Sequence, residues 1–489
     1  MKGRESKPHI GIFGRRNNGK SSLINAITGQ ETAIVDATAG TTTDPVKKSI
    51  EIFGIGPAVV IDTAGIDDEG AIGQKRIQKS LDVLKTIDFA ILVITAHEFE
   101  EPEQMLADQF KAYEIPYIVV NNKSDLAARQ EISEVQFIEV RLTGKGLIDG
   151  TGVLSRGEPR RGYTGKTIAN KALALKNCKD VEISGLQFLS CGHFAMLLTG
   201  VDNLMLDDVT IDSNRDGIDI DCCENVIVRH CRVNTLNDDA IVLKCSYALG
   251  WAKPTAKVII EDCYVSGYDT GSFLDDTKTT KITKAPDRDG PTGRIKLGTE
   301  SNGGFRDIII RNCTFEHCRG LALETVDGAA MENISVSGLK MNDICNSPIY
   351  IRLGDRMRGS DTLTPSSIRG ISIKDVTVTD ADCRYACLIA GLKGHPVKDV
   401  TLTDISIEYR GGITLDDYRN QRGTNPFFYH EGGNYPEPAA HGIQPAWGLS
   451  MTYAEDITLN NVNFKLLSPD ERPMIFKEHT KRVNLNGVN

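Results

Sequence analysis

From Pro8 to about Ala128, short apolar runs alternate with stretches whose apolar residues recur at helical spacing. The runs His9–Phe13, Ala58–Ile61, Phe89–Ile94 and Tyr117–Val120 predict strands, and Lys20–Thr28, Lys75–Lys85 and Glu103–Tyr113 predict helices. Such alternation predicts a parallel sheet covered on both faces. From about Val140 the helical spacing stops and a shorter repeat takes over. Its anchors are Val181, Leu204, Val226, Val258, Ile308, Ile334, Ile371, Val400, Ile457 and Val483. Apolar residues stand two and five places after every anchor, and seven places after the first nine, as at Val228, Cys231 and Val233 after Val226. Offsets zero and two make one strand, offsets five and seven another, and a bend separates them. Ten copies at least 22 residues apart predict a solenoid, in which each coil buries its inward residues by stacking on the next. The expected architecture is an α/β unit followed by an all-β, right-handed parallel β-helix.

Composition narrows the function classes. A chain of 489 residues with 40% hydrophobic and 25% charged residues holds two or three globular domains and is not a disordered polymer. Its net charge of −10 argues against nucleic acid or an anionic membrane surface as the main partner. No apolar run reaches the roughly 18 residues of a membrane span. The start, MKGRESKPHIGIFG, lacks the apolar core of a secretory signal, so the chain as written is expected in the cytoplasm. All 12 cysteines lie between Cys178 and Cys387, and none shows zinc-like paired spacing. Cys231, Cys263 and Cys313 share one inward slot of the repeat, which predicts packing rather than chemistry.

The α/β part carries phosphate chemistry. Gly14-Arg-Arg-Asn-Asn-Gly19-Lys20-Ser21, followed by Ser22, fits a P-loop between a strand and a helix. Its backbone N–H groups and helix N-terminus can cradle phosphates, Lys20 adds a point charge, and Ser21 can coordinate Mg²⁺. Asp62-Thr-Ala-Gly65 follows the next apolar strand, where Asp62 can hold the metal through water and the Gly65 amide can reach the γ-phosphate. Asn122-Lys123-Ser-Asp125 follows a third strand, and the Asp125 carboxylate can accept both N–H groups on guanine's edge. Three motifs in order at strand ends predict a P-loop GTPase domain over residues 1–135 that binds GTP or GDP.

With Gly40-Thr-Thr-Thr-Asp-Pro45 added, residues 8–130 resemble the GTPase domain of the [FeFe]-hydrogenase maturation protein. The resemblance implies that Thr42 is the switch threonine on Mg²⁺ and that Asn17 holds an activating K⁺. Ile66 stands where a water-orienting glutamine would, which fits cation-assisted hydrolysis. The family's fifth guanine motif, last strand, last helix and cluster-binding domain have no counterpart, so the domain is expected to be truncated at its C-terminal side.

In the solenoid, register singles out three carboxylates. Asp216 lies 12 residues after Leu204, and Asp238 and Asp239 lie 12 and 13 after Val226. Equal offsets on successive coils stack about 4.8 Å apart, so the three are expected on one outer face, just before the third strand of each coil. A Ca²⁺ site or a solvated acidic patch would also use such a cluster. Like charges this close raise at least one pKa, which supplies a proton donor beside a carboxylate base.

Asn214-Arg-Asp216-Gly-Ile-Asp and Asp238-Asp239-Ala-Ile make residues 140–489 resemble glycoside hydrolase family 28, the polygalacturonase-like pectinases. The resemblance implies inverting hydrolysis of an α-linked uronide chain without a cofactor, Asp238 as general acid, and Asp216 and Asp239 holding the attacking water. The family's GHG motif falls at Thr292-Gly293-Arg294 and its RIK motif at Ala322-Leu323-Glu324, so the histidine and both carboxylate-gripping cations are replaced. Lys244, Arg294, Lys296 and Glu300 are the expected substrate-binding residues, with Lys244 and Lys296 pointing outward, and a Glu at 324 is expected to repel a uronate. These changes point to a divergent, exo-acting pectin hydrolase over residues 136–489, shortened at its N-terminal side. Enzymes of this kind are normally exported. Two other readings stay open: a GTPase of hydrogenase-maturation type with an adventitious β-helix, and an inactive chimera.

Overall fold

The computed structural model describes residues 7–28, 46–52, 56–65, 79, 81–95, 99–122, 137–151, 171–281, 291–359, 365–421, 435–438 and 442–489. The chain divides into two compact units, Met1–Val140 and Arg141–Asn489.

Five strands form the first unit: β1 (His9–Phe13), β2 (Val46–Ile52), β3 (Gly56–Asp62), β4 (Phe89–Thr95) and β5 (Tyr117–Asn122), in the order β2-β3-β1-β4-β5. Apolar residues alternate between two cores because a central strand is buried on both faces. On one face Phe13, Ile61, Leu92 and Ile94 pack with Leu106 and Phe110 of the helix Glu101–Ala112. On the other, Ile12, Val60, Ile91 and Val93 pack with Ile24 of the helix Lys20–Thr28. A capping box between Glu100 and Glu103 starts the first of these helices. The expected all-parallel sheet needs one correction. β2 runs antiparallel to β3 at the sheet edge, and its sequence Val-Lys-Lys-Ser-Ile-Glu-Ile has the polar residues of a half-solvated edge strand. The expected helix Lys75–Lys85 falls mostly outside the described residues; its end is a short 3₁₀ turn at Leu84–Thr86.

The second unit is a parallel β-helix. Ladder partners link the anchors in one column, as Val181, Leu204, Val226, Val258 and Ile308. The column continues through Ile334, Ile371, Val400, Ile457 and Val483. Offset seven forms a second column, running from Phe188 and Ile211 to Ile407 and Phe464. The bend between the two strands has one cause throughout. The residue four places after each anchor is left-handed, as at Asp208, Asp262, Asn312, Asp375 and Asn461, and so is the residue just before each anchor, as at Asp180, Asn203, Asn225 and Asn333. Asn and Asp tolerate that conformation at low cost. Their side chains also bond along the stack: Asn225 Nδ2 donates to Asn203 Oδ1 at 3.1 Å and Asn203 Nδ2 to Asp180 Oδ1 at 2.6 Å.

A third strand per coil builds a separate ten-stranded parallel sheet. Its inward residues, such as Ile218, Ile220, Ile241, Leu243, Ile295 and Leu297, are wholly buried. Each buried aliphatic side chain of this kind contributes about 1.5–3 kcal/mol. Among the described residues all 12 cysteines are unbridged, and Cys231, Cys263 and Cys313 are buried in one column. Helices are not wholly absent: Leu415–Asn420 is a short helix capped by Thr414, in the long connection after Tyr409. No helix among the described residues is long and apolar enough to cross a membrane.

Candidate functional site

In the first unit the strand–loop–helix after β1 assembles part of the expected nucleotide site. Asn17 is left-handed at φ 59°, and Gly19 at φ 88° lies so close to Asn122 that a Cβ would meet its Nδ2 at 1.9 Å. Asn122 Nδ2 donates to the Asn18 carbonyl at 2.9 Å, which ties the third motif to the loop. Lys20 Nζ donates to the carbonyls of Gly14 and Arg15 at 2.9 and 2.7 Å. Ser21 Oγ donates to Asp62 Oδ2 at 3.4 Å, and burial pushes the Asp62 pKa up while Lys20 opposes it. A hydroxyl and an under-neutralised carboxylate facing each other at a P-loop fit a Mg²⁺ ion. Ser22 is exposed on the helix and Gly65 is buried at the end of the Asp62 motif. Thr42, Lys123 and Asp125 lie outside the described residues. Arg15 turns away from the loop to bind Glu103 at 2.7 Å and Glu100 at 2.8 Å.

In the second unit a cleft of about 450 Å³ opens on the outer face of the ten-stranded sheet. Asp216, Asp238, Asp239, Lys244, Lys296 and Glu300 all line it. The expected stacking is shifted by one residue. Ile218 pairs with Ile241, so extending the ladder puts Asp216 level with Asp239 and Arg215 level with Asp238. The turn before Ala240 is one residue longer than its counterpart, while the anchors remain 22 apart. In consequence Arg215 binds Asp238 at 2.5 Å. Lys244 binds Asp216 at 3.0 Å and Asp219 at 2.8 Å, while Asp239 takes Arg294 at 2.8 Å and Lys296 at 3.4 Å.

These partners drive the acids apart. Burial, then the charges of Asp216 and Asp239, push the Asp238 pKa up to about 7 against the pull of Arg215. Burial would raise Asp239 as well, but Lys296 and Arg294 outweigh it and hold that carboxyl below its ordinary range. One neighbour holds a proton near neutrality and the other does not, which is the division of labour of an acid and a base. Asp216 Oδ1 is buried with no hydrogen-bond partner among the described residues.

Two expected binding residues sit differently. Lys296 does lie on the outward row, but only 1% exposed, with its ammonium 3.2 Å from the Tyr435 hydroxyl and 3.4 Å from Glu324. Arg294 is also 1% exposed and does not line the cleft; Glu437 holds it at 2.5 Å and shares Arg319 at 2.7 Å. Glu324 is wholly buried behind these cations, with its pKa pushed up to about 7 by burial, so it faces Lys296 rather than a substrate. Glu300 stays on the cleft wall, 3.6 Å from Arg356.

Sequence reasoning missed Arg215, Asp219, Asp221, His193, Tyr435, Glu437 and Arg358. The first three sit inside or beside the Asn214–Asp219 motif and were readable there. His193 offers a ring nitrogen within 4.8 Å of oxygens of Asp216 and Asp238, because Phe194 pairs with Asp216 and brings the preceding residue level with Arg215. Tyr435 and Glu437 come from a long connection that has no repeat register to read.

The two units thus present a P-loop nucleotide fold and a β-helix with a glycosidase-like carboxylate cleft. Comparison with known proteins agrees at that level. A family described as 50S ribosome-binding GTPase matches residues 9–123, and glycosyl hydrolases family 28 matches residues 111–269. The chain therefore carries a GTPase domain joined to a family 28, polygalacturonase-like domain. The tRNA modification GTPase MnmE of Hydrogenovibrio crunogenus is 40% identical over 125 residues, covering 25% of this chain and 28% of that protein. GTPase Der of Wolinella succinogenes is 36% identical over 135 residues, covering 27% and 28%. The chain thus spans under a third of the length of these relatives. They are of MnmE and Der type, and lend no support to the finer likeness to hydrogenase-maturation GTPases. Among solved structures, an exopolygalacturonase from Thermotoga maritima is 22% identical with a TM-score of 0.36, covering 47% of this chain and 48% of that one.

Proposed function

We propose that the β-helix unit is an inverting hydrolase of α-linked, pectin-type polyuronides that acts from a chain end. Asp238 protonates the leaving oxygen, while Asp216 and Asp239 hold and deprotonate the attacking water. The observation that supports this most is the split between neighbours: a buried Asp238 titrating at about 7 beside an Asp239 held low by two cations, in one cleft. Lys244 keeps its charge against burial because Asp216 and Asp219 face it, and so orients Asp216. Proton NMR of oligogalacturonate digests tests the proposal. The β anomer should appear first, and only monomer or dimer should accumulate early. Early release of the α anomer refutes inversion, and early mixed oligomers refute the exo mode.

For the first unit we propose a guanine-nucleotide switch. Ser21, with Asp62 through water and Thr42, would hold Mg²⁺, which neutralises phosphate charge when bound. Asn17 would hold a K⁺, and Asn122, Lys123 and Asp125 would select guanine. The Ser21–Asp62 pair and the Asn122–Asn18 bond support the reading. GTP hydrolysis by the full chain should require Mg²⁺ and run faster in K⁺ than in Na⁺. Equal rates in both salts would remove the K⁺ role.

A further inference from the structure

A uronide substrate brings one carboxylate per sugar into a cleft that is already acidic. Six carboxylates and four cations line it. Three of those cations are engaged by carboxylates of the chain: Arg215 by Asp238, Lys244 by Asp216 and Asp219, and Lys296 by Asp239 and Glu324. Without a further cation the wall would repel the ligand that the proposed function requires. The fourth is Arg358. Its side chain is exposed in the cleft, and among the described residues no carboxylate pairs with its guanidinium.

The backbone that carries Arg358 is built rather than loose. Two residues earlier the Arg356 side chain, 2% exposed, forms a two-pronged pair with Asp327, itself wholly buried. The Arg358 N–H donates to Asp327 Oδ1 at 2.9 Å, and its carbonyl accepts from Asn302 Nδ2 at 2.5 Å. The Met357 N–H donates to the Val326 carbonyl at 3.0 Å. The segment after the strand Ile349–Leu353 therefore leans back across two coils. It ends beside Asn302, on the coil next to that of Asp239. Met357, between the two arginines, is left-handed at φ 51°, and Arg356 turns into the support while Arg358 lines the cleft.

We infer that Arg358 is the specificity-determining cation of this site: its guanidinium takes the carboxylate of a uronate sugar bound next to the cleavage point. It stands in for the two cations missing at Ala322 and Glu324. Arginine suits the task because its planar fork matches a carboxylate with two parallel hydrogen bonds and stays charged at every relevant pH. The inference rests on the polyuronide reading above. A hydrogen bond to a charged group contributes about 1.5–3 kcal/mol, or roughly 10- to 150-fold in binding.

The test uses the full chain, with oligogalacturonate and its carboxyl-reduced, neutral counterpart as ligands. Arg358→Ala should raise KM for oligogalacturonate about 10- to 150-fold with kcat changed far less, and Arg358→Lys should recover part of the loss. Calorimetry in the Asp238→Asn background should show the same loss of oligogalacturonate affinity and no change for the neutral oligomer. An unchanged KM and affinity in Arg358→Ala overturn the inference while leaving the hydrolase reading intact. Equal losses for both oligomers also overturn it, because the arginine would then be supporting the cleft rather than reading charge. If the wild-type chain neither cleaves nor binds oligogalacturonate, the polyuronide reading fails and the inference falls with it. If it binds without cleaving, the calorimetric comparison still decides the role of Arg358.

Discussion

Replacing Asp238 with Asn keeps the shape of the side chain and removes the proton that the leaving oxygen needs. Asp238 is 8% exposed and its carboxyl pKa is pushed up to about 7, so it holds its proton through the acidic range and gives it up near neutrality. General acid catalysis contributes about 10²- to 10⁴-fold, and kcat on oligogalacturonate should fall by that factor. Wild-type activity should decline as pH rises through about 7, and the residual activity of the variant should lack that limb. Stability should fall over the same pH rise. The folded pKa is raised above the ordinary 3.8, so the folded state holds this proton more tightly than the unfolded chain does. The resulting stability is fully present below the unfolded pKa and is lost as pH rises through about 7. At roughly 1.36 kcal/mol per pKa unit, the loss is on the order of 4 kcal/mol. Asparagine carries no charge at any pH and avoids this loss, although Arg215 forfeits a charged partner at 2.5 Å. Paired thermal melts at about pH 5 and about pH 8 should therefore show the variant gaining on the wild type at the higher pH. Near-full activity in Asp238→Asn, or a stability difference that ignores pH, would refute the assignment of a buried, shared proton to this residue.

Three further outcomes test other parts of the argument. Cys231→Val should cost under about 1.5 kcal/mol in denaturant melts, as volume-conserving core swaps do; a larger loss would mean the thiol does more than fill its buried slot. Gly19→Ala should abolish guanine-nucleotide binding measured by calorimetry, since the new Cβ would meet Asn122 Nδ2 at 1.9 Å at a φ of 88°. Retained binding would show that the loop has a second conformation. Asn225→Val should destabilise the β-helix by about 1–2 kcal/mol, the cost of a left-handed residue with a β-carbon branch; a neutral result would remove the left-handed bend as the reason for polar residues before each anchor.

The solenoid was legible because its signal is repeated. Ten anchors with fixed offsets specify strand, bend and strand, and every anchor predicted from spacing finds its neighbour in the ladder. Period-two patterning is local, so the chain alone carries it. The P-loop between β1 and its helix was readable for the same reason, a short motif placed between two local elements. The edge strand β2 was not, because a half-solvated strand has too little apolar patterning to stand out.

Partner choice within the cleft was decided only by the fold. One extra residue before Ala240 moved Asp216 from the level of Asp238 to that of Asp239, a shift that no count from the anchors reveals. Which cations are spent on the chain's own acids depends on burial: Arg294 and Lys296 look like substrate ligands in sequence, yet each is 1% exposed and held by Asp239, Glu324 or Glu437. Glu437 lies 143 residues from Arg294 along the chain. A buried charge must find its counter-ion in space, and the sequence distance between them carries no trace of the pairing.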